Sequence, residues 1–161
     1  MRRRPEHPST LASYAGLAAA HVAAFGWGLR ALVRAGHPLP DRVQPVDLLV
    51  QGVATYQLSR VLSRDKITRF ARAPLTDVEE GAPTPPGELA EHARAAAGPR
   101  RVAGELLTCT MCLDQWVAAG FALAHARAPG PTRVVASAFA VKSVADVLHV
   151  VYARTTTRPA R

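Results

Sequence analysis

The chain of 161 residues has the length of one domain, and its composition already excludes several classes of protein. With 48% hydrophobic, 20% charged and 6% aromatic residues, it is neither a disordered polyelectrolyte nor an aromatic-rich binder of single-stranded nucleic acid. Two cysteines are too few for a disulfide-rich scaffold or for a four-cysteine zinc site within one chain. The net charge of +8 would suit nucleic acid, but the cations follow the ends of apolar segments, so we expect no nucleic-acid partner.

Four long segments carry few charges and are predicted to form transmembrane helices. Each is close to the roughly 20 residues that cross a bilayer core. Residues 134–141 carry no ionisable group at all, whereas a surface helix in water needs a broad polar side. A soluble, alanine-rich four-helix bundle is the alternative. The predicted fold is all-α, a single membrane domain over residues 1–161, with a bundle of four transmembrane helices at about 11–33, 46–62, 106–126 and 134–152.

The connections between these segments differ in length and character. Residues 35–41 and 128–132 are short and rich in proline, as expected for turns between antiparallel helices. Residues 63–104 contain several prolines and acids, and we expect a long soluble loop there with one short helix at 88–97. The basic start of the chain runs into an apolar stretch longer than a signal peptide, so we expect no cleaved signal.

Lys and Arg are distributed unequally between the two sides of the predicted membrane domain. Thirteen lie in the two termini and the 63–104 loop, whereas four lie in the opposite turns. Because cytoplasmic flanks carry the excess of Lys and Arg, we expect a multi-pass protein of the cell membrane with both termini and the loop in the cytoplasm. The expected partners are the lipid bilayer and its anionic head groups. The thirteen are Arg2, Arg3, Arg4, Arg64, Lys66, Arg69, Arg72, Arg94, Arg100, Arg101, Arg154, Arg158 and Arg161, and the four are Arg34, Arg42, Arg127 and Arg133.

The CxxC pair of Cys109 and Cys112 is the most distinctive local motif. On one continuous helix, the spacing places Glu105, both cysteines, Trp116 and Ala119 on a single stripe. Three roles fit the pair: packing against a neighbouring helix, a redox pair with a lowered thiol pKa, or half of a metal site completed by Glu105, a histidine or a second subunit. We favour packing, since the reducing cytoplasm disfavours a stable disulfide.

A basic motif follows the second apolar segment and contains Arg60, Arg64, Asp65, Lys66 and Arg72. Asp65 among these cations could tie the arginines into a fixed network. The alternative, which we favour, is a basic membrane anchor in which the acid is incidental. Neither phosphate-binding glycines nor a catalytic base beside a nucleophile accompanies the motif, so the spacing does not support enzymatic use.

Ionisable residues inside the apolar segments are costly in lipid and are expected to point into the bundle. Lys142, Asp146 and His149 share one helix face, and Lys142 is expected to pair with Asp146. Asp47 and Gln51 form a second polar face, on the second segment. The favoured role of this intramembrane network is to hold helices together, and a proton or ion path is the alternative.

The order of these motifs resembles a known family. The series Arg60-x-x-x-Arg64-Asp65-Lys66-Ile67-Thr68, Arg72-Ala-Pro74 and Glu105-Leu-Leu-x-Cys109-x-x-Cys112-Leu113-x-x-Trp116 is similar to the bacterial and phage membrane-protein family filed as domain of unknown function 1360. The resemblance covers mainly residues 55–125. It implies an integral membrane protein and supplies no established activity.

Two functions of different classes remain open. The favoured one is a structural or interaction module of the bacterial cytoplasmic membrane, with the 63–104 loop facing a protein partner. The alternative is a small membrane thiol oxidoreductase or metal-binding protein that uses Cys109 and Cys112, against which the lack of a second cysteine pair counts. We therefore expect a non-enzymatic protein without a cofactor. Assembly of the chain into a homo-oligomer is compatible with this function.

Overall fold

A computed structural model of the protein describes residues 8–156, and helices dominate it, as predicted. Within these residues the chain forms six α-helices, one turn of 3₁₀ helix and two short strands. In chain order they are α1 (Pro8–Arg34), α2 (Pro45–Arg64), the 3₁₀ helix (Lys66–Thr68), α3 (Arg69–Arg72), β1 (Thr76–Val78), β2 (Glu91–Ala93), α4 (Gly98–Thr108), α5 (Thr110–Arg127) and α6 (Pro129–Thr156).

The turn between α1 and α2 follows from glycine and proline chemistry. Gly36 adopts a φ of 77°, a left-handed conformation that favours glycine. The amide of Gly36 donates to the carbonyl of Val33. The next amide, of His37, donates to the carbonyl of Leu32, which completes a Schellman motif and ends α1. Pro45 then opens α2, where its missing N–H leaves no helical hydrogen bond unmade.

The third predicted segment, 106–126, is not one straight helix. α4 and α5 meet at Cys109 and are bent by 80°. Cys109 has extended backbone angles, φ −104° and ψ 103°, so it interrupts the helical hydrogen bonds at that point. Glu105 therefore lies on α4 and Cys112 on α5. The predicted single stripe from Glu105 through both cysteines to Trp116 and Ala119 is wrong.

Two of the described helices, α1 and α6, are long and apolar enough to cross a membrane. The bent pair of α4 and α5 adds a third candidate only if the two helices count as one span. α2 is long enough, but its polar residues, which include Asp47 and Arg60, make it too hydrophilic for this set. Length and composition therefore support two or three of the four predicted spans.

Residues 65–97, here called the cap, have more structure than the loop expected for 63–104. The 3₁₀ helix and α3 follow α2 directly, and β1 pairs with β2 in an antiparallel sheet that sets Thr76 opposite Ala93. The helix predicted at 88–97 is wrong, because residues 91–93 form β2. Residues 91–93 form a strand because they pair with β1 and pack against α4. The helix α4 begins at Gly98, which also lies within the expected loop.

The cap lies at one end of the long helices. The amide of Gly98 donates to Thr10 Oγ1 over 3.4 Å, which places the start of α1 beside the cap. Pro85 of the cap and Arg154 of α6 line one cavity, which places the end of α6 there too. The long helices therefore run back and forth, with the two short turns at the opposite end.

The interior of the helical part is small. α2 lies centrally and packs against α5 and α6, and the buried core at these contacts consists of Ala54, Phe121 and Ala136. α1 lies further out and packs on α4 and α5. Partly buried side chains around this core are Val50, Leu58, Val117 and Phe139.

Apolar side chains cover the outside of the long helices. Trp27 on α1 is 74% exposed, and Val134 and Val141 on α6 are 71% and 68% exposed. Only 6% of the apolar stretch of either helix is buried inside the protein. Such a continuous apolar surface in a folded chain marks contact with a membrane or with another protein.

Candidate functional site

An ionic cluster joins α2, α6 and the cap, and Arg60 of α2 is its centre. Arg60 Nε donates to Glu88 Oε1 of the cap over 2.7 Å, and a second guanidinium nitrogen contacts the same oxygen. Arg60 Nη1 donates to Asp146 Oδ2 of α6 over 3.1 Å. One guanidinium therefore connects three parts of the fold, and Arg60, Glu88, Asp146, Lys142, Gln57 and Ser143 together are called the Arg60 cluster here.

Asp146 receives further donors within the cluster. Lys142 Nζ lies 2.9 Å from Asp146 Oδ2, so the expected pair within the last helix is present. Gln57 Nε2 donates to the same oxygen over 2.9 Å. Ser143 Oγ donates to Gln57 Oε1 over 3.0 Å, which fixes the orientation of the amide. His149 is exposed and lies outside the cluster, although the sequence placed it on the same face.

A cavity of about 540 Å³ opens beside the cluster. Its walls are polar at Arg60, Glu88 and Asp146 and apolar at Val147 and Val151. The valines are more than half exposed, so the cavity is an open groove along α6.

A second ion pair lies buried inside the cap. Arg72 Nε donates to Glu91 Oε2 over 2.6 Å, and both side chains are 1% exposed. Arg72 also donates to the carbonyl of Leu62 over 2.7 Å and to that of Asp65 over 3.1 Å. A cation at these carbonyls satisfies the open end of α2. Thr76 Oγ1 donates to the other carboxylate oxygen, Glu91 Oε1, over 3.2 Å.

The sequence predicts the arginines of this region and Asp146 as polar sites, but it does not predict the acidic partners Glu88 and Glu91. Glu88 and Glu91 lie within the helix predicted at 88–97, whereas the hairpin turns them toward Arg60 and Arg72. The available signal was the excess of acids in a connection next to a basic motif. Their partners lie 28 and 19 positions away in the chain, so no local spacing indicates the pairing.

Asp65 does not tie the arginines together through its carboxylate. In residues 8–156, the salt bridges of Arg60 and Arg72 go to Glu88, Asp146 and Glu91. Burial raises the pKa of the Asp65 carboxyl above its ordinary value. Asp65 acts instead through its backbone carbonyl, which accepts from Thr68 Oγ1 over 3.0 Å as well as from Arg72.

The other predicted polar residues of the helices form a separate group at the opposite end. Arg133 Nη2 donates to Asp47 Oδ2 over 2.7 Å, and its Nε donates to Oδ1 over 2.9 Å. His125 Nε2 lies 3.9 Å from Asp47 Oδ2, and Gln51 Nε2 lies 3.1 Å from His125 Nδ1. Asp47 belongs to this group, so the single intramembrane network expected for Asp47 and Asp146 is two networks.

Cys109 and Cys112 are joined as a disulfide, with their Cα atoms 5.2 Å apart. The expectation of two packed thiols is therefore wrong, and an oxidised pair offers neither a thiolate nucleophile nor a thiolate metal ligand. The Cys112 amide donates to Cys109 Sγ over 3.2 Å, so Cys109 caps the start of α5.

Glu105 has partners other than the cysteines. Arg101 Nε lies 2.8 Å from Glu105 Oε1, and the hydroxyl of Tyr14 donates to Oε2. Glu105 thus joins α4 to α1. Among the described residues, no group of three or more histidine, cysteine or acidic side chains could hold a metal ion. The disulfide therefore does not support the thiol-enzyme and metal-binding alternatives.

The comparisons with known proteins agree with the motif order described above. The family described as "Protein of unknown function (DUF1360)" matches residues 50–152, which contain the Arg60 cluster, the cap and the disulfide. No curated protein and no solved structure matches the chain.

Proposed function

The chain belongs to the DUF1360 family of unknown function, and on that premise we propose that it is a multi-pass protein of the bacterial cytoplasmic membrane that serves as an interaction module. Its helices hold it in the bilayer, and its cap faces a protein partner in the cytoplasm. The observation that carries the proposal is the exposure of the apolar stretches of α1 and α6, of which only 6% is buried inside the protein.

The distribution of polar groups supports a lipid environment. In a bilayer, ionisable side chains are tolerated where they face other helices and are paired. Arg60, Gln57 and Asp146 lie between α2 and α6 and bond one another, whereas Val141 and Val144 of α6 are more than half exposed. Water would favour the reverse arrangement.

The placement of cations supports the orientation. Arg64, Lys66, Arg69 and Arg94 lie at the cap end, in keeping with a cytoplasmic side. Three expected cytoplasmic arginines at the start of the chain and two at its end, Arg2, Arg3, Arg4, Arg158 and Arg161, lie outside the described residues.

The Arg60 cluster supports the interaction role. It connects the cap to α2 and α6 through charged groups that are largely shielded from solvent, with Glu88 only 8% exposed. A partner that moves Glu88 would change the ion pairing of Asp146, because both acids share Arg60. Contacts made at the cap can thus reach the membrane helices.

Membrane fractionation and reporter fusions test the membrane part. The protein should remain in membranes washed with alkaline carbonate and should dissolve only in detergent. Fusions at Pro85 and after Arg161 should report the cytoplasm, and fusions at Pro38 and Gly130 the outside. Release by carbonate would overturn the membrane assignment, and an external Pro85 reporter would overturn the orientation.

Site-specific crosslinking tests the interaction part. A photo-crosslinking residue at Glu80, an exposed position of the cap, should give one discrete protein adduct in cells. The same residue at Val141 on α6 is the control and should give lipid adducts. An absence of protein adducts from several exposed cap positions would contradict the interaction role.

A further inference from the structure

Two apolar side chains, Ile67 and Phe70, are exposed just after the end of α2, and basic residues are their neighbours in the sequence. Ile67 is 77% exposed and Phe70 is 81% exposed, although both lie in a folded segment. They are three residues apart across the 3₁₀ helix and α3, a spacing that places side chains on one face. Two exposed cations, Arg64 and Lys66, precede this pair in the sequence. Arg69 Nε instead lies 3.6 Å from Glu91 Oε1 inside the cap.

The segment is held in place by bonds to the cap interior. Arg72 Nη1 donates to Thr68 Oγ1 over 2.6 Å and to the Leu62 carbonyl over 2.7 Å. Thr68 Oγ1 in turn donates to the carbonyls of Val61 and Asp65. These bonds fix the backbone between α2 and α3, so the exposure of Ile67 and Phe70 is a property of an ordered surface. An ordered surface loses little entropy when it docks.

We infer that this face docks onto the anionic surface of the membrane. Ile67 and Phe70 enter the boundary between head groups and acyl chains, and Arg64 and Lys66 meet lipid phosphates. The inference rests on the proposed membrane location and adds a second contact between the cap and the bilayer. It also gives the basic motif a physical role that Asp65 does not supply.

Charge and position select lipid over a protein or a second copy of the chain. The face combines two large apolar side chains with two exposed cations, Arg64 and Lys66, which is the composition of a membrane-surface segment. It begins at Arg64, the last residue of α2, which is one of the helices that the proposed function places at the membrane. Docking would fix how far the cap stands from the lipid surface.

The test measures depth in reconstituted vesicles with a nitroxide on Ala71, the exposed neighbour of Phe70. Ala71→Cys is placed in a Cys109→Ser/Cys112→Ser background, so that the new thiol alone takes the label. In vesicles containing phosphatidylglycerol, the label should be reached by oxygen and shielded from a water-soluble nickel complex. Vesicles of phosphatidylcholine alone should give a loss of that shielding.

Two double variants show which side chains cause the shielding of the Ala71 label. Ile67→Ser/Phe70→Ser should expose the label to nickel in both kinds of vesicle, and Arg64→Gln/Lys66→Gln should abolish the difference between them. A label on Glu80→Cys, an exposed cap position outside residues 64–70, is the matched control and should stay accessible to nickel throughout.

The outcomes separate this inference from the proposed function. A label on Val141→Cys of α6 reports whether the helices enter the bilayer. If that label is in lipid and the Ala71 label is in water, the docking inference fails alone, whereas both in water would overturn the membrane assignment. Shielding of the Ala71 label from oxygen and nickel alike would indicate a protein surface and would overturn the lipid assignment.

Discussion

The cap and the helix α6 both reverse the usual rule that apolar side chains lie inside and charges outside, but for different reasons. In the cap, Arg72 and Glu91 are 1% exposed because each satisfies the other and the surrounding carbonyls. In α6, Val134 and Val141 are about 70% exposed without any protein partner covering most of their surface. The cap therefore satisfies its buried charges with its own groups, whereas the exposed valines of α6 mark a surface that contacts a membrane or another protein.

The largest effect is expected from breaking the buried ion pair of the cap. Glu91→Ala leaves Arg72 as an unpaired buried cation and should lower the free energy of unfolding by about 3–5 kcal/mol. The matched control is Asp77→Ala on the paired strand, whose partner Arg94 is 53% exposed, with an expected loss of about 1 kcal/mol or less. Thermal unfolding in detergent measures both variants. Equal losses would show that burial of the first pair does not matter.

A smaller effect is expected where α4 approaches the hairpin. A Cβ at Gly104 would lie 2.8 Å from Ala93 Cβ and 2.8 Å from the Leu75 carbonyl oxygen, so the backbone has to shift. Gly104→Ala should therefore cost about 1–3 kcal/mol of unfolding free energy.

Gly120 in α5 is the matched control for that variant. An added Cβ there meets nothing within 4 Å. Gly120→Ala should therefore stabilise the protein by up to about 1 kcal/mol through helix propensity. Melting temperatures in the same detergent compare the two, and a stabilising Gly104→Ala would contradict the close packing of α4 on the cap.

The smallest effect concerns Asp65, at the junction of the helices and the cap. Because burial raises the pKa of this carboxyl, the folded protein binds its proton more tightly than the unfolded chain does. Its contribution to the unfolding free energy is present below the ordinary pKa and is lost as pH rises through the raised pKa. Asp65→Asn should flatten this part of the stability curve and be neutral or slightly stabilising at pH 7. Melting curves across the acidic range would show it, and a steeper curve for the variant would reject the assignment.

Local pattern was sufficient for the parts of the fold that depend on neighbours in the chain. Long apolar segments predicted α1 to within three residues and α6 to within five residues at each end, because helix formation in such segments follows from composition. The pair of Lys142 and Asp146 is four residues apart on one helix, a spacing at which side chains meet without help from the rest of the fold. The ordered motifs of residues 55–125 likewise sufficed to indicate the family.

Only the tertiary structure decided the cap and the ionic clusters. β1 and β2 are three residues each, too short for a periodic signal, and they exist because they pair with each other and pack on α4. The bend at Cys109 interrupts a stretch whose composition favours one helix. Arg60 forms ion pairs with Glu88 and Asp146, which lie 28 and 86 positions further along the chain. Such charges can be buried only where folding brings their partners together. The spacing of residues along the chain does not show which distant residues become neighbours in the fold.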